Sequence, residues 1–197
     1  YIPETMERHI EQSTQEDTLQ RLVKLYLQEI PWILGTLCSA RVVHCDLTPP
    51  NIGIKNGHLK LLDFGLARFS DVVSPSRLPA RKREFYPQEV QRGIVTPALD
   101  VYCAGKVLEQ VLTGTYAIQV QETIENIEFF HDVTLPVSWR EMFLSMLHPN
   151  YEQRPNPTLL RQLMAHAAHD MDTFRFKDFV PLSKADLLPS SSSSFFG

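Results

Sequence analysis

Residues 42–54, VVHCDLTPPNIGI, decide how the rest of the chain is read. A β-branched pair is followed by His44, Cys45 and Asp46, then by two prolines, an asparagine and a second apolar run. Each proline lacks a backbone N–H and fixes φ, so neither a regular helix nor a central strand continues through Pro49 and Pro50. The segment reads as a stiff loop between two extended pieces. Asp46 and Asn51 stand close enough along it to converge on one point. An acid and a carboxamide held together by such a loop suit a proton acceptor and a metal ion.

The surrounding chain sets the scale. Its 197 residues suffice for one domain with a real core, or for one lobe of something larger. A content of 43% hydrophobic and 21% charged residues is that of an ordinary globular protein, and a net charge of −4 gives no pull toward nucleic acid. Cys38, Cys45 and Cys103 are few, odd in number and without metal-ligand spacing, which points to reduced thiols in an intracellular, cytoplasmic protein. No apolar run approaches a membrane span and no signal peptide is visible. The first residue is Tyr1 rather than Met, so a piece of a longer chain is expected.

Upstream of the loop, Leu19, Leu22, Val23, Tyr26, Leu27, Ile30, Ile33, Leu34 and Leu37 follow the three–four spacing of an amphipathic helix over 17–39. Pro31 inside it should bend it or remove one internal hydrogen bond. A short helix is expected over Glu4 to Gln12. Downstream, IGIK and HLKLL flank Asn56-Gly57, whose tolerance of positive φ makes a tight hairpin. From Asp63 to Glu89 no periodicity survives, so a long irregular excursion is expected. Helices return in TPALDVYCAGKVLEQVLTG, stopped by Gly114, in VSWREMFLSMLH, and after Asn156-Pro157, a cap followed by a first-turn proline. The end, LPSSSSSFFG, is low-complexity and is expected to be disordered. The sum is mainly α with a small β-hairpin and one long loop, α+β overall.

Five motifs in order, HCDLTPPN, LLDFGLAR, YPQEV, LDVYCAGKVLEQVLTG and HPNYEQRPN, are similar in sequence and spacing to the C-terminal lobe of eukaryotic-type protein kinases. The resemblance runs from about Tyr1 to Met171, leaving 172–197 as a C-terminal extension. It implies phosphoryl transfer from ATP, with Mg²⁺, to a serine or threonine hydroxyl of a protein substrate. The transferred group is heavily anionic, so catalysis is mostly positioning and charge neutralisation. By this resemblance Asp46 accepts the substrate hydroxyl's proton, while Asn51 and Asp63 hold Mg²⁺ through hard oxygens. His44 and Phe64 form a packed pair beneath the site. Asp100 binds the backbone of the catalytic loop, and Glu89 pairs with Arg154. Taken singly, Asp46 reads equally well as a turn acid and Asn51 as a strand-end cap.

Departures from the family pattern carry their own expectations. No glycine-rich loop, strand lysine or partner glutamate is present, so the partner lobe that covers ATP is expected upstream, and this chain alone should transfer little or no phosphate. Cys45 replaces the arginine that commonly receives an activation-loop phosphate, so Ser70, Ser74 and Ser76 are expected to be plain loop serines. Gly53 stands where a large apolar side chain commonly lies under the adenine, which removes at most ~1.5–3 kcal/mol of contact. Thr48 replaces the usual lysine two residues after the aspartate, and Lys82 falls at the usual threonine position. An exchange of roles, Lys82 reaching the phosphate and meeting Thr48, is one reading; a solvated basic run at Arg81 to Arg83 is the other. PQE in place of APE implies an irregular peptide-binding loop. A non-catalytic mimic that binds other proteins, and a small-molecule kinase, are the competing functions.

Overall fold

The computed structural model describes residues 4–8, 16–70, 86–113 and 120–171. Its largest element is helix α1 (Glu16–Ser39), whose stripe of Leu19, Leu22, Val23, Tyr26, Leu27, Ile30 and Leu34 is buried. The spacing thus gives the helix that the sequence demands. Pro31 lies inside α1 without ending it: burial of Ile30 and Leu34 on either side offsets the one hydrogen bond that proline cannot donate. Helix α1 packs on two later helices, α3 (Pro97–Thr113) and α6 (Pro157–Asp170). The buried Tyr26 hydroxyl donates to the Ala104 carbonyl at 2.8 Å and so ties α1 to α3. Asn156 caps α6, accepting from the N–H groups of Thr158 and Leu159 at 3.0 Å each.

Helix α3 is the axis of the core. Most of its residues are buried, including the polar Asp100, Lys106 and Glu109. A Cβ at Gly105 would approach Leu147 Cδ2 to 2.8 Å, so a larger residue there would force the Leu147 side chain to shift where α3 packs against the segment that follows α5 (Val137–Met146). The Trp139 indole N–H of α5 donates to the Ala167 carbonyl of α6 at 2.9 Å.

The expected hairpin is present. Strands β3 (Ile52–Lys55) and β4 (His58–Leu61) pair antiparallel across Asn56 and Gly57, at φ 54° and 75°. Three expectations need correction. Glu4 and Thr5 do not begin a helix but form strand β1, because the open edge of β3 offers backbone partners opposite Ile54 and Gly53; residues 6–8 are helical, and 9–12 lie outside the described residues. The stretch from Asp63 to Glu89 is not irregular throughout. Strand β2 (Val42–Val43) pairs with β5 (Arg68–Phe69), and a short helix α2 (Gln88–Gln91) follows the undescribed residues 71–85. Finally, helix α4 (Val120–His131) occupies a region to which no element was assigned. Its signal was present but weak: Ile124, Ile127 and His131 are buried at helical spacing, and His131 Nε2 bonds the Leu112 carbonyl at 2.7 Å. Gly114 and the Ser-rich end lie outside the described residues. Among the described residues no helix is long and apolar enough to cross a membrane.

Candidate active site

The loop between β2 and β3 is shaped by one carboxylate. Asp100, in the first turn of α3, accepts from the backbone N–H of His44 at 2.7 Å and from that of Cys45 at 3.0 Å. Burial pushes the Asp100 pKa up to about 6, against the two N–H donors that favour its charge. Cys45 sits at φ 65°, a left-handed conformation that costs a non-glycine residue roughly 1–3 kcal/mol and persists only where its surroundings over-determine it. The turn is therefore held from behind by the core, not by its own propensity.

His44 is a buried core residue. Its Nε2–H donates to the Leu62 carbonyl at 3.0 Å, and its Nδ1 accepts from the Asp46 N–H at 3.3 Å. Its ring meets that of Phe64 edge-on, centroids 4.7 Å apart. Burial lowers its pKa, opposed by the Leu62 carbonyl and by the charges of Asp46 and Asp63. With both nitrogens engaged in the neutral form, His44 is a spacer between two loops.

Asn51 ends a 3₁₀ turn (Pro49–Asn51) and points its amide back along the loop. Nδ2 donates to the Asp46 carbonyl at 2.9 Å and to the Asp46 carboxylate at 3.1 Å. The amide nitrogen is thereby committed, and the amide oxygen is the atom left for an incoming cation. The Asn51 carbonyl accepts from the Leu62 N–H at 2.9 Å, which draws the residue before Asp63 against the same loop. Asp63 has φ 56°, and its Oδ1 accepts from the Gly65 N–H at 3.0 Å. A Cβ at Gly65 would stand 3.0 Å from that oxygen, so any larger residue there would push the Asp63 carboxylate aside by a few tenths of an ångström. Two hard oxygen donors, one amide and one carboxylate, fit an ion that keeps several waters and phosphate oxygens in its shell.

Asp46 faces a cleft of about 320 Å³ that it shares with Thr48, Pro50, Tyr86, Cys103, Lys106 and Gln110. Thr48 is extended and its side chain makes no cap to the 3₁₀ turn. Gly53 lies in β3 beside Thr5 of β1. Lys82 lies outside the described residues, as do Ser74 and Ser76. On α3, Lys106 and Glu109 form a buried ion pair at the cleft's wall. Arg154 grips Glu89 of α2 through two nitrogens, at 2.5 and 3.3 Å, and also binds the carbonyls of Ala98 and His148 while lying over the Tyr102 ring. Tyr86 and Lys106 had no role assigned from sequence. Tyr86 stands directly before the Pro87–Glu89 run, but its partner is 41 residues away; Lys106 reads as part of a helix.

The family model for the protein kinase domain matches residues 2–168. Similar proteins include a probable serine/threonine-protein kinase of Dictyostelium discoideum, 31% identical over 89% of this chain and 35% of its own length. The serine/threonine-protein kinase unc-51 of Caenorhabditis elegans is 31% identical over 90% of this chain and 21% of its own length. The protein kinase gsk3 of Schizosaccharomyces pombe is 26% identical over 95% of this chain and 48% of its own. The chain thus spans between about a fifth and a half of these relatives.

Proposed function

The chain belongs to the protein kinase domain family, and from that premise we propose that it forms the large, C-terminal lobe of an enzyme that phosphorylates serine or threonine hydroxyls of proteins. Residues 1–171 constitute the lobe and 172–197 an extension. The observation that supports this reading best is the double hydrogen bond from Asn51 Nδ2 to the carbonyl and carboxylate of Asp46. It fixes the acid beside a cleft and leaves the amide oxygen for a cation.

In this reading the acceptor hydroxyl enters the cleft, and Asp46 orients its oxygen and takes its proton. Asn51 and Asp63 hold Mg²⁺, which when bound neutralises the phosphate oxygens of ATP. Gly53 underlies the base with little apolar contact. Thr48 stands beside Asp46 in the cleft, and by the exchange of roles read from the sequence Lys82 supplies the phosphate contact. The half-exposed Phe64 and the exposed Asp63 are the face onto which the nucleotide-covering lobe closes.

Asp46→Asn in the native enzyme tests this. It preserves the Asn51 contact at the carbonyl but removes the base, and transfer should fall by about 10²–10⁴-fold with little change in melting temperature. Lys82→Ala should lower turnover as well, and unchanged turnover would return Lys82 to the solvated run. Full activity in Asp46→Asn would remove the proton acceptor from the scheme.

A further inference from the structure

We propose that Tyr86 is a positioning residue for Asp46, its hydroxyl setting the peptide that leads into the acid; this rests on Asp46 being the proton acceptor. The Tyr86 O–H donates to the Cys45 carbonyl at 2.8 Å. That carbonyl belongs to the peptide joining Cys45 to Asp46, so its orientation fixes where the Asp46 backbone begins. The Cys45 N–H is already held by Asp100 at 3.0 Å. Residue 45 is thus clamped on both of its peptides, and its φ of 65° is the strained conformation that such clamping sustains.

The other end of Tyr86 is equally constrained. Pro87 follows it with φ −66°, and Glu89, two residues further, is locked to Arg154. The phenol therefore carries the position of 86–91 into the loop through a single neutral hydrogen bond. The Cys45 side chain cannot substitute: it is buried, and its Sγ faces the Val43 carbonyl at 3.5 Å. Burial pushes the Tyr86 hydroxyl pKa well up from its ordinary value, which keeps it a neutral donor. Since the ring also lines the cleft beside Thr48 and Gln110, a group bound there and the acid that would act on it share one anchor.

Tyr86→Phe deletes one oxygen and keeps the ring. In the native enzyme kcat should fall about tenfold while KM for ATP stays within about twofold. In the 197-residue chain the backbone amides of 44–47 should exchange hydrogen faster, with α3 amides unchanged. A kcat within about twofold of wild type, or a fall in kcat matched by an equal rise in KM, overturns the inference; so does unaltered exchange at 44–47. Asp46→Asn run alongside separates the failures: if it abolishes transfer while Tyr86→Phe does not, only the positioning role falls. If it transfers at the wild-type rate, Asp46 is not the proton acceptor and both fall.

Discussion

The two halves of the candidate site are held very differently. Around Asp46 the loop is tied to buried and half-buried groups: Asp100 holds two N–H groups, Tyr86 a carbonyl, His44 an N–H, and the half-buried Asn51 both a carbonyl and a carboxylate. Around Asp63 the residue, its neighbour Phe64 and Gly65 are exposed, and the Asp63 Oδ1 contact to the Gly65 N–H stays within the turn. The first half is built by the chain's own core. The second is open on the side where a nucleotide and a covering lobe would sit. Under the proposed function, such a site would be preorganised for proton acceptance and completed from outside for phosphate binding.

That asymmetry predicts unequal stability effects. Arg154→Leu leaves Glu89 buried without its charge partner and frees the Ala98 and His148 carbonyls, so it should destabilise the chain by about 3–5 kcal/mol in urea unfolding. Asp63→Asn, on the open side, should shift stability by no more than about 0.5 kcal/mol in the same measurement. Equal losses would erase the distinction between the halves.

A smaller effect comes from pH. The folded pKa of Asp100, about 6, lies above its ordinary 3.8, so its stabilising contribution is fully present below the lower value and is lost as pH rises through about 6. His44 has the opposite sign: its folded pKa is lowered from 6.5, and its contribution is present above 6.5 and lost as pH falls through its folded value. Moving from neutral pH toward 5, the two oppose each other in stability. Activity has no such cancellation, because protonated Asp100 holds the two loop N–H groups less firmly. The rate should therefore fall as pH drops through about 6 while the melting temperature moves little. Asp100→Asn should lose that acidic limb; an identical limb in the variant would assign it to another group.

Sequence and structure agree most closely where local chemistry decides the outcome. Asn56-Gly57 forms its hairpin, Asn156-Pro157 starts its helix, and the apolar stripe of α1 is buried. The motif order also placed His44 against Phe64, Asp100 on the loop and Glu89 on Arg154. What stayed hidden depends on partners distant in the chain. Strand β1 exists because the β3 edge is open, and β5 exists because β2 lies beside it. Helix α4 shows only a two-isoleucine stripe, too short to stand out. Tyr86 and Lys106 owe their places in the cleft to how α2 and α3 pack, which no spacing along the chain records.

The most direct test of the proposed cation site is nuclear magnetic resonance of the chain with ATP and Mn²⁺ in place of Mg²⁺. The side-chain amide of Asn51 and the backbone amides of Asp63 and Gly65 should broaden together at the same metal concentration, with Asp46→Asn leaving the pattern intact. Broadening that reaches one of the two groups without the other, or neither, would contradict a shared cation between Asn51 and Asp63.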